Sequence, residues 1–229
     1  MNSIKKVAVI GAGVMGAGIA AHVANAGLPV VLLDIVPKGA SNRSIIAETA
    51  VEKMLKQEPA PFMSRSAAKL VTTGNIEDHL DLIKDCDWII EAVLERLDVK
   101  HELYAKLEKH RKAGAVVSSN TSTIPLAELL KGASEDFAKH FMITHFFNPP
   151  RYMRLLEVVR GEKTLPGAFA SVSQFADHSL GKSVIRQIFV SAFGGVLNRI
   201  GEEFKLIRQV RKERLVDLRK LQLPLRKMP

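Results

Sequence analysis

The chain has 229 residues, of which 47% are hydrophobic and 25% charged. These are globular proportions and exclude wholesale disorder, while the single Cys86 excludes a disulfide framework and any Cys-built metal centre. The formal charge of +9 is uneven: residues 199–229 carry ten Lys/Arg against four Asp/Glu, leaving +3 for residues 1–198. Basicity confined to a C-terminal tail is not the footprint of a nucleic-acid-binding domain.

In chain order, Lys6–Ile10 is a short β-branched run and predicts a strand. Val14–Ala26 has helix-forming composition, and Val30–Leu33 predicts a second buried strand ending at Asp34. Lys5-Lys6 followed by the uncharged Val7–Ala21 resembles a secretory leader, but Gly11, Gly13, Gly16 and Gly18 interrupt it. Each glycine weakens an apolar helix by about 1 kcal/mol, so a soluble, cytoplasmic chain without a membrane span is expected.

A longer helix is predicted from about Ala40 to Lys56, stopped by Pro59-Ala60-Pro61. Next come a short helix over Ile76–Lys84, a strand over Asp87–Val93, a helix over Leu97–Arg111 and a strand over Ala115–Ser119. Strands alternating with helices predict βαβ units on a mostly parallel sheet with both faces covered. Phe141–Phe147 and Leu155–Val159 are separated by too few residues for a helical crossover, so this late pair is predicted antiparallel. A helix follows from Thr164 to Leu180, before Gly181. The fold class is therefore α/β, a Rossmann-type doubly wound sheet followed by a short basic helical tail. Residues 1–187 form the expected α/β domain, and residues 188–229 a linker and helical tail.

Gly11-Ala12-Gly13-Val14-Met15-Gly16 fits G-x-G-x-x-G between a predicted strand and a predicted helix. The first glycine permits the turn, the second lets backbone approach a pyrophosphate, and the third lets helix pack on strand. The helix N-terminus adds unpaired N–H groups and a positive dipole end. The motif alone is weak, since ligand-free glycine turns are common. Asp34, 23 residues after Gly11, strengthens it. A carboxylate there accepts from ribose hydroxyls and repels a 2′-phosphate, which selects NAD over NADP; the blander role for Asp34 is a loop cap.

Asn120-Thr121-Ser122 follows a predicted strand at the edge where open α/β sheets bind ligands. His145 ends the next apolar strand, and Glu157 lies twelve residues on, in the returning strand. A carboxylate at one imidazole nitrogen fixes the tautomer and leaves the other as a base. Taken cold, such a pair is more often structural than catalytic. His140 and His145, an odd separation apart on one predicted strand, should point to opposite faces and share no metal; none is expected. No G-x-S-x-G elbow is present, and His101-Glu102 lacks the second histidine of a zincin helix.

Taken together, Gly11–Gly16 with Asp34, Glu91-Ala92-Val93-Leu94-Glu95 with Lys100, Ser119-Asn120-Thr121-Ser122, and His145-Phe146-Phe147-Asn148-Pro149 with Glu157 resemble the L-3-hydroxyacyl-CoA dehydrogenase family. The stretch containing Lys56-Gln57-Glu58-Pro59-Ala60-Pro61 is most similar to the multifunctional bacterial β-oxidation type. The resemblance spans roughly residues 5–187. It implies NAD-dependent oxidation of (S)-3-hydroxyacyl-CoA to 3-oxoacyl-CoA. In that reading His145 is the base, Glu157 orients it, and Ser122 and Asn198 hydrogen-bond the substrate oxygen. Gly11, Gly13, Gly16, Asp34, Glu95, Lys100 and Asn148 line the NAD site. The implied partners are an acyl-CoA substrate and a homodimer or fused domains.

The chain departs from the family after Val184-Ile185. The segment Gln187–Gly195 lacks the proline-containing linker, although Asn198-Arg199 matches again, and only 31 residues follow Asn198. Phe204, Ile207, Val210, Leu215 and Leu218 suit a basic amphipathic helix, expected to be a solvated or oligomer-contacting remnant. The expected chain is thus the nucleotide-binding portion with a truncated or divergent end. The competing expectation is an NAD-binding module impaired in catalysis because the substrate and dimerisation domain is missing.

Overall fold

In a computed structural model, residues 4–188 are described; Asn198 and the predicted basic helix lie outside them. The strands are β1 (Val7–Ile10), β2 (Val30–Asp34), β3 (Val71–Asn75), β4 (Trp88–Glu91), β5 (Val116–Ser119), β6 (Phe141–Phe146), β7 (Leu155–Arg160) and β8 (Ser183–Ile188). They form one sheet in the order β3-β2-β1-β4-β5-β6-β7-β8. Every neighbouring pair is parallel except β6–β7, which is antiparallel as predicted. Strand order reverses between β1 and β4, and such a switch point opens a crevice at the carboxyl ends of the strands.

Strand alternation sorts the core into two layers. Val7, Val9, Leu32, Trp88 and Ile90 face one side of the sheet. There they meet α1 (Val14–Asn25), α2 (Ile45–Met54), α3 (Arg65–Ala68) and α7 (Pro166–His178). Ala8, Ile10, Val31, Leu33 and Ile89 face the other side. They pack on α4 (Leu97–His110), α5 (Leu126–Leu129), α6 (Glu135–Lys139) and a 3₁₀ turn over Leu80–Asp85. Trp88 is fully buried between Phe146 and Phe175, with ring centroids 6.4 and 6.1 Å away. Its indole N–H donates to Ser118 Oγ at 2.9 Å, so the polar edge is satisfied inside the core.

Several elements differ from expectation. The helix predicted from Ala40 begins at Ile45, because Asn42 folds back on its own chain: its Oδ1 accepts from Ser44 N, and its amide donates to Glu48. The predicted Ile76–Lys84 helix is the 3₁₀ turn instead. Strand β3 falls in a segment for which no element was predicted. His140 is not on a strand with His145 but caps α6, with Nδ1 2.9 Å from Asp136 O. Among the described residues no helix is long and apolar enough to cross a membrane.

Candidate active site

The glycine turn leaves β1 at the switch point. Gly11 has φ +102, in the left-handed region, and a Cβ there would lie 2.5 Å from Ala92 O. A Cβ on Gly16 would overlap the carbonyl oxygen of Gly11, so this glycine is what lets α1 sit against the turn. Gly13 is different: nothing lies within 4 Å of its would-be Cβ. Its bare backbone opens α1, which has no side-chain cap and no acidic residue in its first turn. The uncapped N–H groups suit a diphosphate. A groove of about 540 Å³ runs past Gly13 between α1, α2 and the Asn148–Tyr152 loop.

Asp34 stands at the end of β2 and is half-buried. Its Oδ2 accepts the backbone N–H of Ala12, and Oδ1 accepts that of Ile35 at 2.6 Å. The carboxylate thus ties the glycine turn to the second strand. As a carboxylate that only accepts, it suits vicinal hydroxyls and not a phosphate. The turn and this carboxylate therefore fit a dinucleotide with an unphosphorylated ribose.

On the other side of the switch point, a cleft of about 370 Å³ is bordered by Glu95, Lys100, Asn120, Ser122, His145 and Asn148. Asn120 sits just past β5, where its N–H donates to Glu91 O at 2.7 Å and its Oδ1 accepts from Phe146 N at 2.9 Å. That clamp fixes the Asn120–Ser122 turn against the end of β6. Thr121 donates to Glu95, and Thr123 also bonds it. Burial pushes the Glu95 carboxyl up, but the Thr121 hydrogen bond and the charge of Lys100 outweigh it, leaving the group below the usual carboxylate range. Ser122 is exposed at the cleft, as is Asn148.

His145 lies near the end of β6 and its register partner on β7 is Glu157. The imidazole Nδ1 is 2.9 Å from Glu157 Oε2. Glu157 is 8% exposed and His145 23%, so the carboxylate sits behind the ring and the ring meets the cleft. Phe147 packs on the imidazole at 4.6 Å between centroids.

Five of the site residues expected from sequence thus converge on one cleft: Glu95, Lys100, Ser122, His145 and Asn148. Glu157 backs it, Gly13 borders the neighbouring groove, and Gly11, Gly16 and Asp34 shape the turn between strands. Sequence reasoning missed the internal polar cluster around Glu91, which is fully buried with Lys100, Tyr104 and Ser119. A buried Glu and Lys nine residues apart at a strand end and in the next helix was its only trace.

The model of the family described as "3-hydroxyacyl-CoA dehydrogenase, NAD binding domain" matches residues 6–188. The chain belongs to this family. It is 52% identical over 198 residues to a probable 3-hydroxyacyl-CoA dehydrogenase of Deinococcus radiodurans, covering 86% of this chain and 57% of that protein. A putative fatty acid oxidation complex trifunctional enzyme of Rickettsia felis is 44% identical, with 87% of this chain and 28% of that protein covered. The chain therefore spans from about a quarter to little more than half of these curated relatives. The (S)-3-hydroxybutyryl-CoA dehydrogenase PaaH1 of Ralstonia eutropha superposes with a TM-score of 0.69 at 29% identity, over 86% of this chain and 68% of that one. Family membership agrees with the glycine turn and Asp34 on the cofactor, NAD.

Proposed function

We propose that this chain is the NAD-binding and proton-transferring portion of an enzyme that oxidises (S)-3-hydroxyacyl-CoA to 3-oxoacyl-CoA in fatty-acid β-oxidation. The observation that carries the reading is the 2.9 Å His145–Glu157 pair opening onto a cleft that also holds Ser122 and Asn148.

NAD, when bound, supplies the hydride acceptor. Gly13 and the start of α1 hold its diphosphate, Asp34 takes the adenosine ribose, and Glu95, Lys100 and Asn148 line the nicotinamide side. With Nδ1 committed to Glu157, His145 presents Nε2 and takes the proton of the 3-hydroxyl. Glu157 stabilises the resulting imidazolium without accepting its proton, since a carboxylate beside a ring N–H favours the cation. Ser122 donates to the substrate oxygen as it becomes a carbonyl. Asn198 shares that role through the family resemblance alone, because it lies outside the described residues.

In this reading residues 1–187 form the cofactor domain. The acyl-CoA pocket is completed by a homodimer or by fused domains, in the cytoplasm. A second reading is favoured by the matched family model, which describes an NAD-binding domain alone: an NAD-binding module without turnover of its own. Oxidation of NADH with acetoacetyl-CoA separates the two. Turnover abolished by His145→Gln supports the enzyme, whereas NADH binding without turnover supports the module.

A further inference from the structure

The floor of the cleft contains a cluster of which the reaction scheme above uses only Lys100. Glu91, at the end of β4, is 0% exposed, and Lys100, on the first turns of α4, is 1% exposed. Glu91 Oε1 accepts from Lys100 Nζ at 2.6 Å and from Val93 N at 2.9 Å. Its Oε2 accepts from Tyr104 OH at 2.7 Å and Ser119 Oγ at 2.6 Å. Strand β5, helix α4 and the backbone just past β4 thus each contribute a donor to one carboxylate. Four donors on two oxygens leave it a single orientation.

Lys100 is oriented in turn. Its ammonium lies between Glu91 and, at 3.3 Å, Glu95 Oε2. Those partners account for two of its three N–H groups, and Lys100 borders the cleft. An ammonium this deeply buried is costly to leave without a partner; the Glu91 carboxylate supplies one at 2.6 Å. Burial, and then the charge of Glu91, push the Tyr104 hydroxyl far up, so Tyr104 stays a donor to Glu91 throughout the working pH range.

We propose that Glu91, locked by Tyr104 and Ser119, is a positioning residue that holds Lys100 aimed so that its third N–H meets a ribose oxygen of the cofactor in the cleft. The inference rests on the NAD reading above and deepens it. Glu91 touches no ligand itself and acts through Lys100. Lys100 is expected at the cofactor; the carboxylate behind it sets its direction.

The test is a double-mutant cycle read by binding. NADH, which spans the cleft, and ADP, which reaches only the glycine turn and Asp34, are titrated against the wild-type chain, Glu91→Gln, Lys100→Met and the double variant. Charge-assisted bonds to a buried group predict that each single variant weakens NADH by about tenfold or more. Both should leave ADP within about twofold. The double variant should be no worse than Lys100→Met alone, because Glu91 acts only through Lys100. Tyr104→Phe removes one lock without stranding a charge and should weaken NADH by several fold, with ADP unchanged; it carries the test if Glu91→Gln does not fold. Additive losses in the double variant, or equal losses for ADP and NADH, overturn the proposal and leave the NAD reading intact. If the folded wild-type chain fails to bind NADH, the cofactor reading itself falls.

Discussion

His145 and Glu157 are register partners on the one antiparallel pair of an otherwise parallel sheet, with Nδ1 2.9 Å from Oε2. Directly opposed residues of an antiparallel pair project to the same face, so the turn of the chain at Asn148–Arg154 is what makes a dyad from residues twelve apart. A βαβ crossover in its place would run β7 the other way and break this register. In a background with measurable turnover, His145→Gln should abolish hydride transfer and leave NADH affinity almost unchanged. Glu157→Gln keeps the shape but removes the charge, and should cost about 10²–10⁴ in rate, as for general-base catalysis. Single-turnover NADH oxidation measures both, and near-normal turnover of His145→Gln rejects the dyad.

Asp34 holds the turn as well as its expected ligand, so its substitution should act twice. Asp34→Ala removes the acceptor for Ala12 N–H, which should cost about 1 kcal/mol of stability. It should also narrow the preference for NAD over NADP by removing the charge that repels a 2′-phosphate. Calorimetric titration with both dinucleotides, beside a thermal melt, reads the two effects separately. NADP binding at least as tightly as NAD to the unaltered chain would contradict the assignment.

Gly13 and Gly16 should separate binding from folding. Gly13→Ala meets open space, so the chain should fold with an unchanged melting temperature and yet bind NADH weakly, its new methyl standing where backbone must approach the diphosphate. Gly16→Ala drives a methyl into the Gly11 carbonyl and should lose roughly 1–3 kcal/mol of stability. Circular dichroism melts and NADH fluorescence on the same samples distinguish the two outcomes.

Stability should rise with pH through two linked groups. Burial, then the charge of Lys182, pushes the His22 imidazole down to about 4. Burial lowers the Lys182 ammonium to about 8. In both cases the unfolded chain binds its proton at higher pH than the folded one. Stability is therefore lost as pH falls from 10.5 toward 8 through Lys182, and again from 6.5 toward 4 through His22. Lys182 donates to the carbonyls of Pro150 and Met153, so it also ties the loop after Asn148 to the sheet. In Lys182→Met the His22 midpoint, followed by NMR, should move up from about 4 toward its ordinary value. An unmoved midpoint would show that the lysine charge does not reach the imidazole.

Much of this arrangement is legible in the sequence, and the reason is local. Strands β1, β2, β4 and β5 are apolar runs buried on both faces, and each ends in residues whose chemistry marks the carboxyl edge: Gly11, Asp34, Glu91 and Asn120. The antiparallel pair followed from a connection too short for a helix. Strand β3 did not announce itself, because Val71-Thr72-Thr73-Gly74-Asn75 is an edge strand with a half-exposed, polar sequence. The start of α2 was misplaced for want of the Asn42 fold-back, a side-chain bond that composition does not encode. The Glu91 cluster was hidden for a third reason. Its members lie 9, 13 and 28 positions from Glu91, and only the packed sheet makes them neighbours.

The buried Trp88 gives the molecule an optical gauge. It is the chain's one tryptophan, shut away from water, and stacked on Phe146, the residue beside His145. Emission from an indole so enclosed should be blue and overlap the absorption band of reduced nicotinamide, so NADH bound in the adjacent cleft, as proposed above, should drain it by resonance transfer while the oxidised form should not. Occupancy and redox state of the site can then be followed in real time with no label attached, at a position where no solvent collision competes for the excited state.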